Sequence, residues 1–311
     1  MNVVEIKYLT HQEIDFTKWD HQLLNSINSR VYATSTFLNN ICQQWDALII
    51  GDYDFIMPLA YNKKYSINYI YPPAFIQQLG IFSSKEITKE IVDKFLIAIP
   101  KKFKYCEIKL NSENPFHIPN HIHRKNFLLN LSEPYKSLKE NYSRSAKRNL
   151  LLAAENNITI EEVESAKQTI QLHRERFKDK IGANSKEYSL LENIFSEYNK
   201  TNQNINLVAK DKNGKIIASS SYLIYKDRIT FLLNGNSKES LQNGATYLLK
   251  DYVIQKFSGT NYLLDFEGSD DINFARFYQQ FGKLKMELYP HFILNQLPFY
   301  LKWLKKSIVD F

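Results

Sequence analysis

The two halves of this 311-residue chain carry the same order of predicted secondary-structure elements. Each half has two helices, then three strands joined by tight turns, then a further helix and a further strand. The first set is predicted at 18–29, 36–44, 45–50, 54–61, 66–71, 85–99 and 104–110, and the second at 166–179, 186–199, 205–210, 215–225, 228–234, 241–257 and 262–265. A repeated series of elements predicts two domains of similar fold.

We place the domain boundaries at 1–130 and 131–295, with 296–311 as a C-terminal helix. The stretch 298–309 has the pattern of a basic amphipathic helix that begins with a proline. Such a helix suits either a membrane surface or packing on the protein itself, and we expect packing because one short helix gives little anchoring.

Composition is that of a globular protein, with 44% hydrophobic and 23% charged residues. No apolar run approaches the ~20 residues of a membrane span, and the first residues lack the pattern of a signal peptide. Cys42 and Cys106 are far apart and in no metal-binding or redox spacing, which predicts buried, reduced thiols. We therefore expect a cytoplasmic protein.

The net charge of +7, from 40 basic and 33 acidic residues, favours an anionic partner. A phosphorylated or nucleotide-linked small molecule, coenzyme A, tRNA and a membrane face all meet this condition. The lysines are spread along the chain, so the charge does not choose among these partners.

The stretch 262–282 reads as a buried strand that ends in Asp265 and Glu267, then a Gly-Ser turn, then a helix. One interpretation places these carboxylates at a pocket, because pockets often lie where strands of an α/β sheet end. The other is a capped strand-to-helix unit whose acidic residues favour the helix N-terminus. In that unit Ser269 or Asp270 is the N-cap and Gly282 ends the helix, which carries an apolar stripe: Phe274, Phe277 and Phe281.

A basic helix is predicted between the halves, at 135–157. Arg144, Lys147 and Arg148 are three and four residues apart, so a helix places their side chains on one face. Three cations on one face can bind phosphate oxygens, or can simply be a solvated surface. The neighbouring face is suited to packing and carries four residues: Leu138, Tyr142, Ala146 and Ala153.

Two stretches resemble signatures of the FemAB family. The stretch 142–160, with Lys-Arg-Asn-Leu-Leu-Leu-Ala-Ala before a turn and a strand, is similar to the family's Lys/Thr-Arg-Asn-Ile-x-x-Ala helix. The stretch 265–282 is similar to its second signature, Asp-Phe-x-Gly, a spacer, and Phe-Lys-x-x-Phe-Gly. With a strand pair at 221–234 and a helix at 247–256, the resemblance covers about half of the chain, in the family's order.

The resemblance implies a fold and a reaction. FemAB proteins consist of two GNAT-like domains and transfer amino acids from aminoacyl-tRNA to a cell-wall precursor peptide, while a related branch consists of GNAT-type acyltransferases. In both, an amine attacks an activated acyl carbon, which requires a proton acceptor and oxyanion stabilisation. By position, Asp265 or Glu267 is the candidate acceptor, and Lys147, Arg148 and Lys283, with Arg144, are the candidates for binding an anion.

Tyr278 departs from the second signature, because it stands where the family has lysine in Phe-Lys-x-x-Phe-Gly. A tyrosine donates a hydrogen bond but carries no positive charge. Lys283 lies beyond Gly282 and is no obvious replacement. The departure weakens the case for aminoacyl-tRNA as donor more than it weakens the case for the fold.

GNAT domains that bind coenzyme A normally have the pattern Arg/Gln-x-x-Gly-x-Gly/Ala at a strand-to-helix turn, where backbone N–H groups hold the pyrophosphate. Here Gly244 and Ala245 keep the small residues, whereas Leu241 and Thr246 depart from the pattern. Gly244 and Ala245 are therefore the cofactor-binding candidates. We expect no tightly bound cofactor, with acetyl-CoA or aminoacyl-tRNA as the acyl donor.

Two further segments are rich in polar or aromatic side chains. The loop 69–80 offers Tyr71, Gln77 and Gln78, either to a cleft between the domains or to a rigid structural turn. Three histidines, His117, His121 and His123, have a spacing that permits a metal site, but no cysteine or acidic residue joins them. We expect a polar loop there and no metal.

The sequence therefore predicts an α/β protein (α+β by stricter naming) of two GNAT-like domains, with mixed, mostly antiparallel sheets flanked by helices. The first functional hypothesis is an acyl- or aminoacyl-transferase that acts on an amine. The second is a binding or scaffolding protein that keeps the tandem fold without catalysis. A nucleic-acid-binding module is a third.

Overall fold

The computed structural model describes residues 5–116, 122–177, 185–268 and 270–298. It has the predicted mixed α/β class, with mostly antiparallel sheets flanked by helices, and it contains two compact units. The first unit comprises Met1–Arg124, Gly182–Leu191 and Leu288–Phe311, and the second Lys125–Ile181 and Glu192–Glu287. No helix in the described ranges is long and apolar enough to cross a membrane.

The described strands are β1 (Ile6–Leu9), β2 (Gln44–Ile50), β3 (Phe55–Lys64), β4 (Ile67–Ile70), β5 (Phe82–Ser83), β6 (Phe103–Lys109), β7 (Ile122–Asn130), β8 (Thr159–Glu162), β9 (Asn204–Lys210), β10 (Ile216–Tyr225), β11 (Arg228–Asn236), β12 (Leu263–Asp265) and β13 (Lys285–Asn295). The α-helices are α1 (Phe16–Asn25), α2 (Ser35–Ile41), α3 (Lys89–Ile97), α4 (Tyr135–Glu140), α5 (Arg144–Glu155), α6 (Lys167–Phe177), α7 (Ser185–Lys200), α8 (Ala245–Phe257) and α9 (Ile272–Tyr278).

The sheet of the first unit has the strand order β1-β2-β3-β4-β6-β13, and β5 pairs with β3. Only β4 and β6 are parallel among its paired strands; the others are antiparallel. Helix α3 covers this sheet and buries Val92, Phe95 and Leu96. They join a core of strand residues that includes Met57, Leu59 and Phe103.

The sheet of the second unit has the order β8-β9-β10-β11-β12-β7, with a parallel pair at β11 and β12. The order of strands and the place of the parallel pair therefore repeat those of the first unit. Strand β7, from the first half of the sequence, completes this sheet beside β12, and β13, near the C-terminus, completes the sheet of the first unit beside β6. The strands β7 and β13 were not predicted from the sequence.

The basic helix predicted at 135–157 is two helices, α4 and α5. Helix α4 ends at Glu140, and α5 begins at Arg144. Between them, the Ser143 side chain caps α5 by accepting a hydrogen bond from the N–H group of Ala146. Serine at this position favours a helix start over a continued helix. The packing face predicted for this region is confirmed, since Leu138, Tyr142, Ala146 and Ala153 are all buried.

Other helix boundaries also differ from prediction: α1 ends at Asn25 and not at 29, and α3 begins at Lys89 and not at 85. The helix predicted at 241–257 begins at Ala245, because Gly244 has a left-handed backbone (φ 82°) that no continuing helix allows. The N-cap of α9 is Asp271, whose side chain accepts a hydrogen bond from the N–H group of Asn273. Asp270 is therefore not the cap, and Ser269 lies outside the described residues. The buried residues of this segment are Ala275, Tyr278 and Phe281. The predicted phenylalanine stripe is therefore confirmed at Phe281, whereas Phe277 is half-buried and Phe274 is exposed.

Candidate functional site

The parallel strands β11 and β12 separate after three paired positions in the second unit. Arg228, Ile229 and Thr230 lie opposite Leu263, Leu264 and Asp265. Strand β11 then continues to Asn236, while the chain leaves β12 and turns towards α9 through Glu267, which has a positive φ of 53°. This separation leaves one edge of β11 without a strand neighbour and makes room for a pocket.

Strand β11 also has an irregular pairing on its other edge. Ser221 of β10 lies opposite Leu233, and the next residue, Tyr222, lies opposite Phe231, so Leu232 is an extra residue with no partner position on β10. A bulge of this kind disrupts the ladder locally and bends the strand. It lies beside the point at which β11 and β12 separate.

A pocket of about 250 Å³ occupies the space between β11, α6, α8 and α9. Half of its lining is aromatic or apolar and half is polar. The apolar residues are Phe231, Leu241, Tyr247, Phe274, Phe277 and Tyr278, and the polar ones are Arg176, Asn234, Asn236, Ser240, Thr246 and Asn273.

The polar wall is held by hydrogen bonds centred on Asn236. In its favoured amide orientation, the Asn236 oxygen accepts from Nη1 of Arg176 (3.1 Å) and from Nδ2 of Asn234 (2.8 Å), and its nitrogen donates to Oγ1 of Thr246 (3.0 Å). Burial lowers the pKa of the Arg176 guanidinium. The Asn234 carbonyl contacts Nδ1 of the buried His173 at 2.7 Å, which ties α6 to the same strand.

The aromatic wall is centred on Tyr278, which is 7% exposed. Its ring stacks on Phe266 at 5.0 Å between centroids and meets Phe231 edge-on at 6.3 Å. Its hydroxyl makes no hydrogen bond with the described part of the chain. Burial raises the pKa of this phenol, as do the nearby carboxylates of Glu267 and Asp265, so the hydroxyl stays protonated near neutral pH.

A buried lysine lies behind the aromatic wall. Lys250 of α8 is 1% exposed, and its Nζ donates to the Tyr222 hydroxyl at 2.9 Å and lies 3.0 Å from the centroid of the Phe231 ring. Burial lowers the pKa of this amine well below its usual value. Burial therefore favours the uncharged form of this amine.

Asp265 lies at the strand end predicted for it, but it is one member of a buried ion pair. Nη1 of Arg228 donates to Oδ2 of Asp265 at 2.6 Å, and Oδ1 accepts from the N–H group of Glu267. Glu287 lies 3.8 Å from the same guanidinium. These contacts favour a structural role for Asp265, and its assignment as a proton acceptor stays a prediction. Glu267 is half-buried, and neither carboxylate lines the pocket.

The three cations of α5, Arg144, Lys147 and Arg148, are exposed as a group, and Lys147 donates to the carbonyl of Glu140 at 2.8 Å. Lys283 is also exposed. None of these four residues lines the pocket. Their roles in anion binding therefore stay predictions for a surface outside it.

The two FemAB-like signature segments pack against each other. The N–H group of Ser143, at the start of α5, donates to the carbonyl of Gln280, and Tyr247 of α8 donates through its hydroxyl to the Gln280 side chain at 3.2 Å. The Tyr142 and Phe281 rings meet edge-on at 5.6 Å. The second signature thus connects the basic helix to the pocket.

Gly244 and Ala245, the predicted cofactor residues, lie at the start of α8 and do not line the pocket. A Cβ atom on Gly244 would lie 2.0 Å from the carbonyl oxygen of Asn149 on α5, so this glycine is required for close packing of two helices. The Asn243 side chain already accepts a hydrogen bond from the N–H group of Ala245. These contacts supply a structural reason for both small residues, and coenzyme A binding by them stays a prediction.

The predicted residues of the first unit do not share one cavity. Tyr71 lines a cavity of about 10 Å³, which Gln77 and Gln78 do not line, and burial raises the pKa of its phenol. Gln78 is fully buried, donates to Gln77 at 2.8 Å and accepts from the N–H group of Ser112. These contacts favour the interpretation of 69–80 as a rigid structural loop. Substrate binding by Tyr71, Gln77 and Gln78 stays a prediction.

The remaining predictions concern cysteines, histidines and the C-terminal stretch. Cys42 and Cys106 are buried free thiols, as predicted. His117 and His121 lie outside the described residues, His123 is exposed, and no group of side chains suited to a metal is found in the ranges that the structure describes. The predicted helix at 298–309 lies outside those ranges apart from its first residue.

No protein-family profile matches the sequence, and no curated protein matches it. Several solved structures do match this chain. FemX matches over 99% of this chain and 100% of its own, with a TM-score of 0.65 and 12% identity. The fold is FemAB-like, with tandem GNAT-type domains.

Two further solved structures support the FemAB-like fold. The C-terminal domain of a proposed lysylphosphatidylglycerol synthetase from Agrobacterium fabrum has a TM-score of 0.57 and 12% identity, over 91% of this chain and 92% of its own. A tandem GNAT protein from the clavulanic acid biosynthesis pathway has a TM-score of 0.52 and 10% identity, over 94% and 99%. At these identities the likeness concerns the fold.

Most of the pocket of this FemAB-like fold was missed in the sequence. Tyr278 was predicted, but Arg176, Asn234 and Asn236 were not. Lys250, behind the aromatic wall, was not predicted either. The polar lining residues had no signal in the sequence, since they come from separate elements with no shared spacing.

Proposed function

We propose that the protein transfers an activated acyl group to an amine, and that the pocket between β11 and α9 binds the reacting acyl group. One observation carries the proposal: where β11 and β12 separate in a FemAB-like fold, the second unit holds a pocket of about 250 Å³. In the first unit the cavity beside the corresponding strand pair is about 10 Å³. The second unit is therefore the candidate catalytic unit.

Acyl transfer to an amine requires stabilisation of the oxyanion that forms when the amine attacks. The bulge at Leu232 is suited to this task, because the extra residue of a bulge lies outside the regular ladder. We expect a backbone N–H group at this bulge to donate to the oxyanion.

The leaving group of the acyl donor develops negative charge, and the Tyr278 hydroxyl can stabilise that charge with a hydrogen bond. Its hydroxyl belongs to a pocket-lining residue, and its raised pKa keeps it protonated. A neutral phenol donates a hydrogen bond and is a poor base at neutral pH. Tyr278 is therefore assigned to the leaving group, while Glu267 remains the candidate acceptor for the amine proton, through water.

Acetyl-CoA and aminoacyl-tRNA are the two candidate donors, and the acceptor is expected to be a nucleotide-linked or other anionic small molecule. The exposed cations of α5 provide a surface for the phosphates of either donor. Since Gly244 is closed off by α5, we expect any donor phosphate to lie on the exposed side chains of α5 and not at Gly244.

Titration calorimetry with acetyl-CoA, aminoacyl-tRNA and a nucleotide-linked muropeptide tests the proposal. We expect at least one to bind and, in the presence of an amine acceptor, transfer detectable as a mass increase of that acceptor. Tyr278→Phe should lower the transfer rate by about 100-fold or more, because loss of one hydrogen-bond donor to the developing negative charge costs on that order. Absence of binding by all three ligands would contradict the proposal.

A second candidate function is a binding or scaffolding protein without catalysis. It is favoured by the contacts of Asp265, which is held by Arg228, and by Tyr278 in place of the family's lysine. Transfer that is present in the native protein and lost in Glu267→Gln would exclude this function.

A further inference from the structure

Lys250 of α8 is a buried amine in an apolar part of the core. It is 1% exposed, and the buried residues of the same helix include Leu249, Val253 and Ile254. Burial lowers the pKa of this amine well below its usual value, which favours the uncharged form. Burying a polar group costs free energy, and a methionine of similar length would fill the space without that cost. Packing alone therefore does not explain a lysine at this position.

The Lys250 amine contacts two aromatic residues, one on each of two neighbouring strands. Nζ donates to the hydroxyl of Tyr222 on β10 at 2.9 Å, and it lies 3.0 Å from the centroid of the Phe231 ring on β11. An N–H group directed at the face of an aromatic ring makes a weak hydrogen bond. The two rings are 5.3 Å apart between centroids. Lys250 therefore connects α8 to both strands through side chains.

These two aromatic residues lie at the bulge in β11. Tyr222 and Phe231 are opposite one another, and Leu232 is the extra residue that follows. A bulge disrupts the ladder, so the backbone there is less restrained by regular pairing than in the rest of the strand. The contact from Lys250 reaches the ladder at the position beside the extra residue. It can therefore restrain the backbone where pairing with β10 is interrupted.

The same contact extends to the wall of the pocket. The Phe231 ring meets the Tyr278 ring edge-on at 6.3 Å between centroids, and both side chains line the pocket, whereas Lys250 does not. A displacement of Phe231 would thus alter the wall and the position of the Tyr278 ring together. Groups that take part in a reaction must be held within about 0.5 Å of the productive geometry, so a small displacement is enough to slow it.

We propose that Lys250 is a positioning residue for acyl transfer. Its amine holds the rings of Tyr222 and Phe231, and thereby fixes the bulge and the aromatic wall of the pocket without contacting the acyl group. The effect of Lys250 on the reaction rests on the proposed function, whereas its effect on the bulge does not. The two effects are measured separately.

Hydrogen exchange of backbone amides, measured by mass spectrometry on the protein without ligand, tests the effect on the bulge. Lys250→Met removes the amine and keeps a side chain of similar length. Amides of β11 should exchange about fivefold faster in this variant, because one hydrogen bond contributes about that factor to a local opening equilibrium. Amides of β9, which pairs with β10, should keep their exchange rates and serve as the reference.

Two further variants accompany Lys250→Met. Tyr222→Phe removes only the hydroxyl that accepts from Lys250, so exchange in β11 should also become faster, and this variant decides if Lys250→Met does not fold. Lys256→Met is the matched control, because Lys256 is exposed on the same helix, and it should leave exchange in β11 unchanged. Unchanged exchange in β11 in Lys250→Met would refute the restraint. An equal increase in β9 and β11 would refute it as well, since it reports a general loss of stability.

The kinetics of transfer test the effect on the reaction. Lys250→Met should lower kcat about tenfold or more, because misplaced reacting groups cost at least this factor. KM should change little, because Lys250 does not line the pocket. The double variant with Tyr222→Phe should be no slower than Lys250→Met alone, since both changes break the same contact. A raised KM with an unchanged kcat would overturn the positioning role, because it would indicate direct contact with a ligand.

The outcome is separable from that of the proposed function. If exchange in β11 depends on Lys250 but the native protein transfers no acyl group to an amine, the restraint on the bulge stands and the transferase proposal fails. If transfer is found and its kcat is the same in Lys250→Met, the transferase proposal stands and the positioning role fails.

Discussion

Lys250 and Asp265 show how differently two buried ionisable side chains can be accommodated. Asp265 is paired with Arg228, whose Nη1 lies 2.6 Å from Oδ2. Lys250 has a tyrosine hydroxyl and aromatic rings around its amine, and among the described residues no carboxylate contacts it. Asp265 thus has a buried partner of opposite charge, whereas the burial of Lys250 favours its uncharged form.

Lys250→Met should change how stability depends on pH. Because the pKa is lowered in the folded state, the unfolded chain binds a proton that the folded protein does not, and native stability falls as pH decreases from about 10.5. The advantage of the variant should therefore grow by about 1.4 kcal/mol per pH unit below that value, until the folded pKa is reached.

Urea denaturation at several pH values from 7 to 10.5 measures this effect. Loss of the hydrogen bond between Lys250 and Tyr222 should lower the stability of Lys250→Met by the same amount at every pH. The informative quantity is therefore the slope, against pH, of the difference in unfolding free energy between the native protein and the variant. Lys256→Met, on the same helix but exposed, controls for the loss of one lysine charge. Parallel curves for the native protein and Lys250→Met would show that Lys250 is charged in the folded state.

Asp265→Asn should destabilise the second unit by about 3 kcal/mol, because it leaves the Arg228 guanidinium buried without its closest counter-charge. Glu287, at 3.8 Å, offsets part of the loss. The measurement is the free energy of unfolding in urea. A double-mutant cycle with Arg228→Met should give a coupling free energy of similar size between Asp265 and Arg228. An unchanged stability in Asp265→Asn would contradict the structural role and leave catalysis as the remaining role of Asp265.

At the scale of the elements, Gly244 determines how closely α8 approaches α5. Its backbone is left-handed, and a Cβ atom would lie 2.0 Å from the carbonyl oxygen of Asn149 and 3.0 Å from the amide of Ala153. Sequence reasoning selected this glycine for a possible cofactor contact. The structure instead explains it by helix packing.

Gly244→Ala should cost about 2 kcal/mol or more, from backbone strain together with the displacement of α5. Gly214→Ala is a matched control: its φ is 81°, but nothing lies within 4 Å of the added atom, so only the backbone term of about 1 kcal/mol applies. Thermal unfolding of both variants separates the cost of backbone strain from the cost of displacing α5. Equal losses would mean that the approach of α5 adds nothing.

Elements and signatures were predictable from the sequence because they depend on local patterns. The strands at 205–210 and 228–234 match β9 and most of β11, and the buried face of α4 and α5 follows from residue spacing. The pocket was not predictable, because its lining joins side chains from distant segments, such as Arg176 and Asn273. The separation of β11 from β12 depends on the pairing of strands, which no local pattern records.

At the scale of the whole molecule, the two units share strand order but not pocket size. The cavity of the first unit is narrowed by Tyr71, Ile76 and other side chains, while that of the second is open. Of these two described cavities, that of the second unit is the one with room for a small-molecule ligand.

We expect acyl ligands to bind with one site per chain. Asn273→Trp, at an exposed position that lines the pocket, should abolish binding by filling it, whereas Arg276→Trp on the same helix lies outside the lining and should have little effect. Calorimetric stoichiometry and affinity measure both. Two sites per chain, or full binding in Asn273→Trp, would place the ligand elsewhere.

The sheet of the first unit is completed by β13, a strand near the C-terminus, and this has a consequence for synthesis of the protein on the ribosome. His291 of β13 contacts Glu107 of the first unit, 184 residues earlier. At about 5–20 residues per second, the sheet of the first unit must wait roughly ten to forty seconds for its last strand, with the edge of β6 unpaired. An exposed edge of this kind is prone to aggregation, so the nascent chain is expected to need chaperone protection until translation is nearly complete.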